Sequence, residues 1–243
     1  MIRGLTRTTM SVIINNANVE NVQHRNEYKI FHMLKDMPYF RNYAAVSGNV
    51  HNVSKHEDAV KDIFIKNELI EWIPHKKMSK KKVEETLNSN ANSIDIPPYC
   101  FVCQPCGTHG NPDFVVRFDK NIFGFECKST TDSSFCPMYN SGGIKPNYIY
   151  IFSNERMNQT TLYKGSDIIT NRQTELITEL IQKQKQIEEE YNKLLNENDM
   201  NHRGVAYYTR PMIIQSGDAT KTNYFTHANK ETCEKNVLDY LLS

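Results

Sequence analysis

The sequence predicts an α/β domain in which helices flank a central mixed sheet. Three observations carry that expectation. Short apolar runs rich in Phe, Val, Ile and Tyr are gathered between residues 99 and 152. Apolar residues at helical spacing lie ahead of them, over 26–37 and 54–67, and again at 230–242. The chain has no internal repeat, and its 243 residues suit a single domain spanning 1–243.

Taken in order, residues 1–25 are polar and weakly patterned, which suggests an N-terminal arm. Tyr28, Ile30, Phe31, Met33 and Leu34 form a helix that stops before Pro38. A loop through Gly48 leads to a helix from Ser54 to Asn67, with Ala59, Val60, Ile63 and Phe64 on one face. Lys76–Asn92 is charged and Asn-rich, either an exposed helix end or a loop. Strands follow at Phe101–Val102, Phe114–Phe118, Ile122–Cys127 and Tyr148–Phe152. From 171 to 198 runs a long charged segment whose Ile177, Leu180, Ile187, Tyr191 and Leu194 stand close to a heptad, with Gln184 as the polar exception. Such a stripe fits an amphipathic helix on its own core or an inserted element for dimerisation. Arg203–Ile214 reads as a late strand and Lys230–Leu242 as a closing helix.

Charge is nearly balanced, with 29 Lys and Arg against 28 Asp and Glu, so no overall basic signature announces a nucleic-acid partner. Lys76–Lys82 is nonetheless a local basic run that a neutral total conceals. No apolar stretch approaches the ~20 residues of a membrane span, and none follows the basic N-terminus as a secretory leader would require. A cytoplasmic protein with six reduced cysteines is expected.

The informative chemistry lies in Asn111-Pro112-Asp113-Phe114 and, one hairpin later, Gly124-Phe125-Glu126-Cys127-Lys128. Alternation along a strand puts Glu126 and Lys128 on one face and Cys127 on the other. A carboxylate and an ammonium in so apolar a strand cost several kcal/mol each unless compensated. A divalent cation held by Asp113, Glu126 and the Cys127 carbonyl, with Lys128 beside the attacking water, supplies that compensation.

These residues resemble the signature of the PD-(D/E)XK nucleases, and most closely that of type II restriction endonucleases. The run Gln104-Pro105-Cys106-Gly107 leading into Pro112-Asp113 is similar to theirs, as are Cys136–Asn140 and Lys145–Phe152 after the Glu-x-Lys. Gly48–His51 ahead of His56-Glu57 matches their upstream acidic helix, while Tyr139 stands where Trp is expected. The resemblance implies a restriction-endonuclease-like fold and Mg²⁺-dependent hydrolysis of double-stranded DNA, with Mn²⁺ able to substitute. It also implies a homodimer cutting a short palindrome to leave 5′-phosphate ends, and a cognate methyltransferase encoded separately. A repair or recombination nuclease, or a non-catalytic DNA-binding protein on the same scaffold, is the alternative.

Four further residue sets have two readings. Glu57 is either a supporting metal-site acid or the partner of Ser54 in a capping box. Cys100, Cys103, Cys106 and His109 crowd within ten residues rather than forming two separated pairs, so no zinc is expected. Asn140 and Lys145 follow the catalytic strand and are candidate DNA contacts. Arg203 and Arg210 are candidates as base or phosphate contacts, although arginine on a strand is also an ordinary solvated residue.

Overall fold

The fold is that of a computed structural model, which describes residues 25–47, 55–89, 94–108, 110–131, 134–140, 143–197 and 204–243. The N-terminal arm to residue 24, the Gly48–His51 run, Ser54, His109 and Arg203 lie outside the described residues.

A six-stranded mixed sheet runs in the order β1 (Ile70–Glu71), β2 (Cys100–Cys103), β3 (Phe114–Arg117), β4 (Ile122–Thr130), β5 (Tyr148–Asn154), β6 (Gln159–Lys164). The β1–β2 and β4–β5 pairs are parallel and the others antiparallel. The helices are α1 (Asn26–Lys35), α2 (Phe40–Ser47), α3 (His56–Lys66), α4 (Lys80–Ser89), α5 (Asn171–Glu197), α6 (Ala219–Thr222) and α7 (Lys230–Leu242). No described helix is long and apolar enough to cross a membrane.

The two-residue period of the strands divides the core into two layers. Phe123, Phe125 and Cys127 of β4 face Ile30 and Leu34 of α1, Ile63 and Phe64 of α3, and Val237 and Leu241 of α7. Phe64 centres this layer, its ring 5.3 to 5.5 Å from Phe101, Phe114 and Phe125. The opposite face packs Val83 and Leu87 of α4 against Val102, Val115, Ile122 and Tyr148. Gly124 lets α4 approach closely there, since a Cβ on it would stand 2.7 Å from Leu87 Cδ1 and push that side chain aside. Farther along this face, Tyr139 shares its hydroxyl with Tyr163 at 2.8 Å and Tyr224 at 3.2 Å, and all three are buried.

The structure departs from the sequence reading in several places. Residues 204–214 are not a strand; only Ile213 pairs, with Tyr139, through reciprocal bonds of 2.8 and 3.0 Å. Side chains of α5 take the backbone groups a sheet would have used. Asn192 bonds both the N–H and C=O of Tyr207, Asn196 the C=O of Val205, and Glu188 the N–H of Thr209. The charged 76–92 stretch contains a docked helix, α4, because Val83, Thr86 and Leu87 give it a buried side. Helices α2 and α6 and strands β1 and β6 were not anticipated.

Candidate active site

Asp113 and Glu126 are brought together by the β3–β4 hairpin. Phe114 is paired with Phe125, so the residue before β3 stands beside the next residues of β4. Beyond that last rung the Cys127 N–H has no strand partner and donates instead to Asp113 Oδ2, at 2.8 Å. The Cys127 carbonyl lies on the same strand edge as its N–H and faces the same gap. Its side chain is buried on the opposite face, as the alternation requires.

On the α4-side face, Lys128 Nζ donates to Glu126 Oε1 at 2.7 Å, with both side chains largely withdrawn from water. The other oxygen, Glu126 Oε2, is buried and has no hydrogen-bond partner among the described residues. Asn111 Oδ1 is in the same condition. Burial and the neighbouring Glu126 charge push the Asp113 carboxyl above its ordinary range; burial raises Glu126 too, against the pull of Lys128. Two buried carboxyls, one raised by the charge of the other, with an unsatisfied oxygen on Glu126, form a donor set suited to a cation.

Both open into a cavity of about 290 Å³ lined also by Glu57, Lys80, Thr108, Gly110, Asn111, Lys128, Asn140, Gly143 and Arg210. Glu57 reaches it from the first turn of α3. A bond back to the start of that helix is made by Asp58, whose Oδ2 accepts from the Lys55 N–H at 3.2 Å, while Ser54, the partner in the other reading of Glu57, lies outside the described residues. Glu57 adds negative charge near both Asp113 and Glu126. Next to it, His56 is buried and stacked on Phe40 at 5.3 Å, and burial lowers its imidazole to about 3, so it packs as a neutral ring.

The sequence candidates thus separate. Asp113, Glu126, Cys127, Lys128, Glu57, Asn140 and Arg210 share the cavity. Lys145 does not line it; its ammonium pairs with Glu84 of α4 at 2.8 Å and its N–H donates to the Tyr150 hydroxyl. Lys80 and Asn111 were missed. Lys80 belongs to the basic run, but only the docking of α4 aims it inward. Asn111 carries no separate signal beyond its place ahead of Pro112.

No family model matches the chain, nor does any curated protein or solved structure.

Among the described residues no three His, Cys, Asp or Glu side chains gather closely enough to hold a metal by themselves. A site here would rest on two carboxylates and a main-chain carbonyl, a set that Mg²⁺, which keeps several waters, accepts. Cys103 points elsewhere, hydrogen-bonded to Glu71 near Lys61, and burial with that carboxylate raises its thiol to about 12.

Proposed function

We propose that this protein is a metal-dependent endonuclease acting on double-stranded DNA, a PD-(D/E)XK enzyme of the type II restriction kind with the corresponding fold. The observation that carries the reading is the juxtaposition of Asp113 and Glu126 on adjacent strands, with Lys128 2.7 Å from Glu126 and Glu126 Oε2 unsatisfied.

A bound Mg²⁺ would neutralise charge on the phosphoryl oxygens and make an adjacent water more acidic. Asp113, Glu126 and the Cys127 carbonyl would hold it, with Mn²⁺ accepted on the same oxygen donors. Lys128, fixed by Glu126, positions the attacking water and stabilises the negative charge that grows in the transition state. Lys80 and Arg210 supply positive charge to a cavity otherwise rich in carboxylates, and are suited to non-bridging phosphate oxygens. Asn140, exposed at the rim, is suited to a sugar or phosphate contact. A homodimer whose two-fold axis coincides with that of a palindromic site is the assembly this function calls for.

The test is incubation of the purified protein with intact phage DNA and Mg²⁺, beside an EDTA control. Discrete fragments that vanish with EDTA support the proposal. A smear, or cutting confined to junctions and ends, supports a repair-type nuclease instead. DNA binding without metal-dependent cleavage overturns the enzymatic reading in favour of a binding protein.

A further inference from the structure

Helix α5 is 27 residues long, about 40 Å, and none of its residues is buried. Its apolar residues nevertheless stand close to a heptad, with Gln184 as the polar exception. Ile177, Gln184 and Tyr191 occupy one core position, and Leu180, Ile187 and Leu194 the other. Leu180, Ile187, Tyr191 and Leu194 are 50 to 59% exposed. An apolar stripe this long on a free surface marks an interaction site.

Three features say what covers it. The helix has six glutamates against three lysines and one arginine, a net charge of −2, which disfavours a nucleic-acid partner. One flank is already occupied: residues 205–209 bond to Glu188, Asn192 and Asn196, and Tyr207 and Thr209 wall a largely apolar furrow with Ile187, Tyr191 and Leu195. On the other flank, beside Leu176 and Glu197, Lys183 (paired within its own helix with Glu179 at 2.6 Å) and Glu190 are complementary when two copies run antiparallel. With the two-fold axis between Gln184 and Ile187, each Lys183 meets the Glu190 of the second copy. Leu180 then packs over Tyr191 and Gln184 over Ile187, the two Gln184 amides flank the axis and fix the register, and Ile177 stays on its own core. In a parallel pair Lys183 would instead approach Glu188, whose carboxylate is engaged by the N–H and the hydroxyl of Thr209.

We propose that the α5 stripe is the self-association surface of this protein and that its occupant is the antiparallel α5 of a second copy. The surface is linked to the cavity, since Thr209 bonds to Glu188 and the next residue, Arg210, lines the site.

The inference does not depend on the nuclease reading, and its test is hydrodynamic. Sedimentation of the full chain should show a dimer. Ile187→Glu should give a monomer with unchanged circular dichroism, since that side chain is exposed. Lys183→Glu should weaken association by at least about tenfold through two like-charge contacts, and adding Glu190→Lys should restore it. A wild-type chain still monomeric at about 50 µM overturns the proposal, as does a dimer indifferent to Ile187→Glu. Failure of Glu190→Lys to rescue Lys183→Glu overturns the antiparallel arrangement.

Discussion

The Cys127 N–H donates to Asp113 Oδ2 at 2.8 Å, so the residue ahead of β3 is fixed against the residue that follows Glu126. One hydrogen bond thereby sets the spacing of the two carboxylates, and it does so where the β3–β4 ladder ends. Because the donor is main chain, a substitution at Cys127 other than proline leaves it in place.

Asp113→Ala is expected to abolish Mg²⁺-dependent cleavage, and Lys128→Ala to lower the single-turnover rate on the order of 10²–10³-fold, the usual cost of losing one charge-stabilising donor. Both variants should keep duplex binding in filter or gel-shift assays. Wild-type rates from either purified variant would remove the catalytic assignment.

The two acids at the start of α3 should separate by phenotype. Asp58→Ala removes the bond to the Lys55 N–H and should cost about 1 kcal/mol of stability with cleavage unchanged. Glu57→Gln should leave the melting temperature in place and slow cleavage by about 10–100-fold, as for a group supporting a metal site. The opposite pattern would make Glu57 the structural residue.

Burial, and at Asp113 the charge of Glu126, hold both carboxyls above their ordinary range, so the folded chain binds these protons more tightly than the unfolded one. Their contribution to stability is therefore full below about pH 4 and falls as pH rises toward the elevated values. In EDTA at pH 7.5, Asp113→Asn should raise the melting temperature by about 2–4 °C, the effect of roughly 1 kcal/mol in a chain of this size. Added Mg²⁺ should stabilise the wild type and leave Asp113→Asn unmoved. An unchanged or lower melting point for the variant in EDTA would show that the pair is not strained by charge.

Lys80 and Arg210 enter the cavity from elements 130 positions apart in sequence. If each contacts phosphate, Lys80→Ala and Arg210→Ala should weaken binding to all duplexes alike and each reduce the slope of log K against log[salt] by about 1. A loss confined to one DNA sequence would make the residue a base reader.

Much of the sheet was legible because apolar runs at β2, β3, β4 and β5 are long enough to show through. Strand β6 was not, since it opens Gln159-Thr160-Thr161. Those threonines are buried with polar partners, Thr161 on Glu234 at 2.9 Å, a burial that no hydrophobic pattern announces. Segment 204–214 misled in the other direction. Its tyrosines and isoleucines suit a strand, but Asn192, Asn196 and Glu188 of α5 bind it, and side-chain capture of a backbone has no periodicity to read. The carboxylates and Lys128 were visible as charges inside apolar strands. Lys80 became visible only once α4 was docked, and Asp58 was overshadowed by the adjacent Glu57.

The hydroxyl cluster of Tyr139, Tyr163 and Tyr224 has an optical consequence. Burial raises all three above the usual phenol range, so none can ionise while the layer stays closed. In a spectrophotometric titration these rings should stay silent while the fold is closed, then appear together as it opens. The ultraviolet absorbance of phenolate thus offers a label-free readout of when the loop at Tyr139 parts from the sheet.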